Sequence, residues 1–407
     1  MPPVALCRRG GLIALAAALC LALPVASVRA AEKIFVELEK PGLAAEVKGP
    51  IGMVAVRGWA GSGFPGQHEV LLMIDRSESS FEPSGSDIDG DGRIGKRRGA
   101  VDQVVHYDKI CSDPGDTILQ AEIEAARRLI RRLDPKTTRM GLVSFGGGAT
   151  VHAPVGSSVG TLLRALNEMP TEYDAGGTNL DYGLRIAREE FARQPKPEVG
   201  SRRYQSIILL SDGSPTTCGA PFPRRTCDRR HAEYFAVQEA KRAAASGVRI
   251  YGFALGPEAV TNRAVFEEVT GSTGGDLVLV SRPGEVTDFV PHISLTKLAR
   301  VRIDNLSSSE PARAVRLFPD GTFDGYAALV PGKNLLRITA YGEDGYESVI
   351  DREVFFSRVD ATTAEARAAL QEMLHELQVR TVETELAEEA RRKLSLIRSR
   401  SLEVNVD

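Results

Sequence analysis

An excess of either charge is missing from this chain. Its 51 lysines and arginines face 54 aspartates and glutamates, a formal net charge of -3. No broad basic field is present to hold a nucleic-acid backbone, so that class of partner is set aside. Aromatic residues are scarce at 6%, yet hydrophobic residues reach 43%, as in an ordinary folded protein and not a disordered one. No cysteine or histidine stands at zinc-ligand spacing. The histidines (His68, His106, His152, His231, His292, His375) are scattered and read as surface or packing residues. Beyond Ala30 no stretch is apolar enough to span a bilayer, so the mature chain is expected to have no transmembrane segment. What the chain does have is length: 407 residues point to two or three units.

The first residues differ from the rest. Arg8 and Arg9 precede an apolar run from Leu12 to Val25, and Val28-Arg29-Ala30 places small residues where a signal peptidase reads. Residues 1–30 are therefore expected to be a secretory signal peptide, exported by the general route or, given Arg8-Arg9, by the twin-arginine one. Leu19 before Cys20 argues against a lipid anchor. The mature protein would be periplasmic or extracellular, with Cys111, Cys218 and Cys227 in an oxidising compartment. Three thiols allow one internal pair: Cys218 with Cys227, close in sequence, or Cys111 with one of them.

From His68 onward, buried strands alternate with helices. Val70 to Ile74, Met140 to Phe145, Thr150 to Pro154, Ser206 to Leu210, Val248 to Leu255 and Leu277 to Val280 read as strands. Ile118 to Leu133, Leu162 to Met169, Leu180 to Phe191 and Tyr234 to Ala245 carry helical periodicity. The alternation predicts an α/β unit over residues 68–297, a doubly wound, mostly parallel sheet with helices on both faces. On either side the pattern is all strand. Met53 to Arg57, Ala299 to Ile303, Ala314 to Phe318, Asn334 to Tyr341 and Glu353 to Phe356 predict a β-sandwich over 32–66 and 298–358, with turns at Asp320-Gly321, Pro331-Gly332 and Asp344-Gly345. Thr362-x-x-Glu365 is a capping box. It precedes Leu370, Met373, Leu374, Leu377, Leu386, Ala390, Leu394 and Ile397, so residues 361–403 predict one long amphipathic helix, or two.

Three fragments carry chemistry. Asp75-Arg76-Ser77-Glu78-Ser79 ends the first strand of the α/β unit, where loops converge on one crevice. Alternate residues of an extended turn can face one point, giving a carboxylate and two hydroxyls as hard oxygen ligands for Mg2+, Mn2+ or Ca2+. Gly176-Gly177-Thr178-Asn179 opens a helix and adds a hydroxyl, and Ser211-Asp212-Gly213 closes a buried strand and adds a carboxylate.

These fragments, LLMIDRSES, GGTN and LLSDGSPT, resemble the metal site of von Willebrand factor type A domains, and the resemblance extends from Glu69 to Pro291. It implies a complete metal-ion-dependent adhesion site. Ser77, Ser79 and Thr178 would ligate the cation, and Asp75 and Asp212 would bind it directly or through water. An open coordination place would accept an Asp or Glu of a protein partner. Residues 81–114 depart from the family core as an insertion. Within it, Asp87-x-Asp89-x-Asp91-Gly92-x-Ile94 matches the first half of an EF-hand-like or dockerin-like Ca2+ loop, with Ile94 expected to pack inward. Arg98 stands where the closing acid belongs; Asp102, Asp108, Asp113 or Asp116 would have to replace it. Outside the α/β unit, VELEKPGLAAEVKGPIGMVAVRGWA (Val36 to Ala60) and PGKNLLRITAYGEDG (Pro331 to Gly345) resemble the early and late strands of bacterial immunoglobulin-like domains, implying one sandwich split by, or flanking, the α/β unit.

The functional expectation is an exported, non-enzymatic, metal-dependent binder of an acidic protein group. One alternative is an envelope assembly protein with the metal as a brace. Another is a serine hydrolase, in which Gly156-Ser157-Ser158-Val159-Gly160 is a nucleophile elbow serviced by Asp212 and by His231 or His292.

Overall fold

The computed structural model describes residues 34–99, 110–170, 177–197, 202–219, 227–359 and 362–403. The expected signal peptide, Asp102 and Asp108 lie outside them.

Every residue from Val70 to Ile74 is fully buried. A strand apolar on both faces needs a helical layer on each. The α/β unit supplies them through β4 (Gln67–Asp75), α1 (Ile118–Arg132), β5 (Thr138–Phe145), β6 (Ala149–Ser157), α2 (Val159–Asn167), α3 (Leu180–Ala192), β7 (Arg203–Ser211), α4 (Arg229–Ala245), β8 (Val248–Leu255), α5 (Gly256–Thr261), α6 (Ala264–Gly271), β9 (Leu277–Val280) and α7 (Val286–Phe289). Three strands, β1 (Ile34–Lys40), β2 (Ala45–Gly49) and β3 (Met53–Ser62), precede this unit. The sheet order is β6-β5-β4-β7-β8-β9, parallel except for β6, which turns back against β5. Val70, Leu72 and Ile74 pack with α1, α2 and α7. Leu71 and Met73 face the other way, into a core shared with α3, α4 and α6. After β4 the chain moves to β5 on one side and later to β7 on the other, so the topological switch point falls at the carboxyl ends of β4 and β7.

The remaining strands are β10 (Leu298–Asn305), β11 (Glu310–Pro311), β12 (Arg313–Leu317), β13 (Thr322–Ala328), β14 (Gly332–Gly342) and β15 (Glu347–Arg358). With β1 to β3 they build two sheets, β1-β3-β13-β12 and β11-β10-β14-β15-β2. The sheets share one core, in which Val56 and Phe323 of the first meet Ile303, Leu336 and Phe356 of the second. Strands from both ends of the chain thus pair directly, β3 with β13 and β2 with β15. Strand β13 was not anticipated, because Asp324 and Gly325 interrupt its pattern. Gly325 is there for space: a Cβ would stand 3.1 Å from Val315 Cγ2.

Asp320, in the β12–β13 turn, ties these sheets to the α/β unit. Its buried carboxylate accepts from Asp134 N at 3.2 Å and Thr137 Oγ1 at 2.7 Å, and from Thr322 Oγ1 at 2.7 Å. Arg57 of β3 pairs with Asp134 nearby.

The last helix, α8 (Thr363–Glu403), is continuous over 41 residues. Its capping box forms as expected, with Glu365 N donating to Thr362 Oγ1 at 3.3 Å and Thr362 N to Glu365 Oε2 at 3.3 Å. Its apolar positions behave unevenly. Ala387, Ala390 and Leu394 are buried against the body, whereas Leu370, Leu374 and Leu386 are exposed. The helix docks by a narrow stripe of its second half, because small alanines permit close approach there.

His68, at the start of β4, is buried and stacked on Tyr204 with ring centroids 5.4 Å apart. Burial pushes its imidazole down to about 4, against the opposing pull of Asp320. The folded state therefore binds fewer protons than the unfolded state between pH 4 and 6.5, and stability must fall as pH drops through that window. Urea unfolding should show about 2 kcal/mol lost from this residue between pH 8 and pH 5, and His68→Phe should flatten that slope.

Candidate functional site

Asp75 is the last residue of β4 and Asp212 follows the last residue of β7, so the switch point brings two carboxylates together. Both are buried, as are Ser77 and Thr178, while Ser79 is half-buried. Ser77 N donates to Asp75 Oδ1 at 2.8 Å, which folds the turn so that Ser77 Oγ and Ser79 Oγ lie 3.2 Å apart. Ser79 Oγ then donates to Asp212 Oδ1 at 3.1 Å. Thr178 enters from a third segment. Its carbonyl accepts from Thr216 N at 3.0 Å and its N donates to Thr216 Oγ1 at 2.9 Å, tying it to the loop after Asp212. A Cβ on Gly213 would stand 3.3 Å from Ser79 Oγ and 3.7 Å from Thr178 Oγ1, so both hydroxyls border one point. The structure thus gathers all five residues singled out in the sequence.

Two partners were not foreseen. Ser211 Oγ donates to Asp75 Oδ2 at 2.5 Å. Glu122 of α1 is fully buried; its Oε2 accepts from Asp75 N at 3.0 Å, and its Oε1 has no hydrogen-bond partner. The signal for Glu122 lay in plain view: it is an acid on the apolar stripe of α1, one turn after Ile118 and one before Ala126.

Three carboxylates in one low-dielectric spot repel one another. Burial pushes Asp75 up to about 6, against the hydrogen bonds from Ser211 and Ser77. Burial and then the charge of Asp75 raise Asp212 well above the usual carboxylate range. Glu122 is raised well above it too, by burial and by Asp75 and Asp212. The arrangement is all oxygen donors with an excess of negative charge, which a hard cation would relieve.

The acidic loop of the insertion is stitched by its own side chains. Asp87 Oδ1 and Oδ2 accept from Gly90 N at 2.8 Å and Gly92 N at 3.0 Å, with both glycines at positive φ. Asp87, Asp89 and Asp116 bring one carboxylate oxygen each within 4.8 Å of one another, and so do Asp89, Asp91 and Asp113. Ile94 does not pack inward: it is 54% exposed, and Gly95 takes the buried place, where a Cβ would stand 2.5 Å from Cys111 Sγ. Cys218 and Cys227 form a disulfide, and Cys111 is a buried free thiol.

The nucleophile-elbow reading fails. Ser158 caps α2, its Oγ accepting from Thr161 N at 3.1 Å. Its proposed partners are engaged elsewhere: Asp212 with Ser79, His231 with Asp228, and His292 with the Asp288 carbonyl. Ser144 Oγ does lie 2.7 Å from His152 Nε2, but that pair belongs to the β5–β6 hairpin.

Gly177 holds φ +86°, and a Cβ there would stand 2.4 Å from Thr216 Oγ1. Gly177→Ala should cost about 1–3 kcal/mol in denaturant unfolding, from strain at a left-handed position. Gly271→Ala, at the open end of α6, should cost nothing comparable.

Residues 70–214 match the family model described as von Willebrand factor type A domain. No curated protein matches the chain in sequence. Among solved structures, the conserved hypothetical protein BatB from Bacteroides thetaiotaomicron is similar at 16% identity and a TM-score of 0.35, covering 54% of this chain and 94% of its own. The vWF domain of the type V pili tip protein Mfa5 from Porphyromonas gingivalis gives 13%, 0.36, 55% and 93% in the same order. Proximal thread matrix protein 1 from the mussel byssus, with a zinc-occupied MIDAS motif, gives 15%, 0.36, 56% and 44%. The segment from Val70 to Ser214, which carries the whole cluster of carboxylates and hydroxyls, is the part of the chain that matches the von Willebrand factor type A domain model.

Proposed function

We propose that this protein acts outside the cytoplasm as a non-enzymatic binder. It would hold one divalent cation, Mg2+ with Mn2+ or Ca2+ as substitutes, at Asp75, Ser77, Ser79, Thr178 and Asp212, and recognise through it an Asp or Glu of a protein partner. The observation that carries this reading is the convergence of three separate segments on one oxygen-lined point whose carboxylates only repel one another. Asp75 and Asp212 would supply charge, and the three hydroxyls neutral donors. A bound cation would supply the positive field that draws an acidic group. Ser211 and Glu122 hold Asp75 from behind, through its carboxylate and its amide. Export is supported by the Cys218–Cys227 disulfide and by the leader-like first residues. No helix among the described residues is long and apolar enough to cross a membrane.

The brace reading is favoured by one observation: Thr178 is only 4% exposed. An exchangeable water on bound Mn2+, detected by proton relaxation and displaced by a glutamate-bearing peptide, would establish recognition. Its absence would leave the brace.

We propose a second cation, Ca2+, in the insertion, where Asp113 and Asp116 join Asp87, Asp89 and Asp91 and stand in for the missing closing acid.

Calorimetry on the chain from Ala31 tests both sites. Mg2+ at a hundredfold excess over its dissociation constant should stabilise the fold by about 2.7 kcal/mol. Asp212→Asn should abolish that increment, yet raise the stability of the metal-free protein by removing a buried like charge. Ca2+ binding at the insertion should vanish with Asp89→Ala and survive Asp212→Asn. If unmutated protein takes up neither cation, the proposal fails.

A further inference from the structure

The far end of α1 carries the opposite imbalance. Glu122 and Arg132 stand ten residues apart on α1, about 15 Å along its axis. There α1, β12 and the second half of α8 enclose a cleft of about 550 Å3. Six basic side chains line it: Arg128, Arg131, Arg132, Arg316, Arg391 and Lys393. Three of them are paired, Arg128 with Asp288 at 3.3 Å, Arg316 with Glu383 at 2.6 Å and Lys393 with Glu389 at 3.2 Å. Arg131, Arg132 and Arg391 have no such partner among the described residues; Glu388, the fourth acid of the lining, acts on Arg391 without closing an ion pair.

What these arginines do instead is revealing. Arg132 lies over the Phe318 ring, 5.7 Å from its centroid, with Arg316 5.3 Å from the same centroid. The Arg132 Nε is buried without a hydrogen-bond partner. Arg391 donates to the Leu317 carbonyl. A guanidinium offers five donors, so most of this capacity is unspent. The charges also press on one another. Burial and then Arg391 push Arg132 down to about 10, and burial and then Arg132 push His292 down to about 4. Arg128 and Arg316 are further neutralised by Glu124 at 3.0 Å and Asp324 at 2.6 Å, outside the lining, so with His292 neutral the excess lies with Arg131, Arg132 and Arg391, three positive charges against Glu388, the one lining acid outside an ion pair.

We infer that this cleft binds an oxyanion of the phosphate class, held by Arg131, Arg132 and Arg391. A phosphate or phosphate monoester carries about -1.5 to -2 at neutral pH, which matches the excess, whereas a carboxylate offsets only half of it. Its oxygens suit planar guanidinium forks. The ligand would join α8 to α1 across β12, fastening the last helix to the body.

The test is calorimetry on the chain from Ala31 with inorganic phosphate, glycerol 3-phosphate and acetate. Both phosphates should bind at least about tenfold tighter than acetate, and Arg132→Gln combined with Arg391→Gln should weaken them by about tenfold or more. Tighter binding of the ester than of the free ion would identify an esterified ligand, and equal binding a free one; either upholds the site. Since the double variant removes groups that touch α8, Arg131→Glu at the exposed rim serves as the variant that leaves packing intact, and it should weaken phosphate by a similar factor. No binding of either phosphate at millimolar concentration would overturn the inference. So would binding that survives both the double variant and Arg131→Glu, which would mark an adventitious ion only.

Discussion

Like charges buried together are the constraint around which this molecule is arranged. Asp75, Asp212 and Glu122 occupy one water-poor point, and each raises the energy of the others. Such a spot persists only if the scaffold around it is over-determined. Strand β4 is that scaffold. It is central in its sheet, covered on both faces and hydrogen-bonded to β5 and β7 along most of its length. The turn after it is fixed by its own side chains, Ser77 N on Asp75 and Ser80 Oγ on the Ser77 carbonyl at 2.8 Å. The stability of the apolar layers offsets the electrostatic cost of the site, and the site is where that cost can be recovered by a ligand.

Legibility in the sequence followed physical range. The α/β strands were readable because a strand buried on both faces is apolar at nearly every position, as Val70 to Ile74 shows. Asp75, Ser77 and Ser79 were readable because their convergence depends on a local period of two. Glu122 was missed because its role depends on α1 crossing β4, a contact that no local pattern encodes. The inward packing expected of Ile94 failed for a related reason. The loop turns on Asp87 and on Asp116, far along the chain, and Asp116 accepts from Gly95 N at 2.7 Å, which sends Gly95 inward and Ile94 to the surface. Short helices such as α5 and α7 left no periodic trace, being too brief to show one. Strand β13 was hidden by a glycine that packing requires.

The two charge excesses sit at opposite ends of one helix. Glu122 lies on the first turns of α1, toward the carboxyl end of the sheet, and Arg132 on its last turn. Charges of this kind at surface positions would be screened by water and count for little. Here Glu122 is fully buried and Arg132 half-buried, so both mark places where the fold alone does not neutralise its own side chains. Asp320 shows the contrasting case, a buried carboxylate whose oxygens are satisfied by the hydroxyls and backbone amides around it.

The pairing of β3 with β13 and of β2 with β15 bears on how the chain assembles. Synthesis releases the N-terminal strands first; β1 finds β3 nearby, but β13 and β15, the partners of β3 and β2, follow more than two hundred residues later. Until then β1 to β3 hold open hydrogen-bonding edges, the kind of surface that templates aggregation. The α/β unit is free of that wait, since its strands pair with neighbours inside the unit. It can condense early and draw its own two ends together, converting a slow search between remote strands into a short one. Condensed in that way, the α/β unit would act as a folding jig for the strands on either side of it.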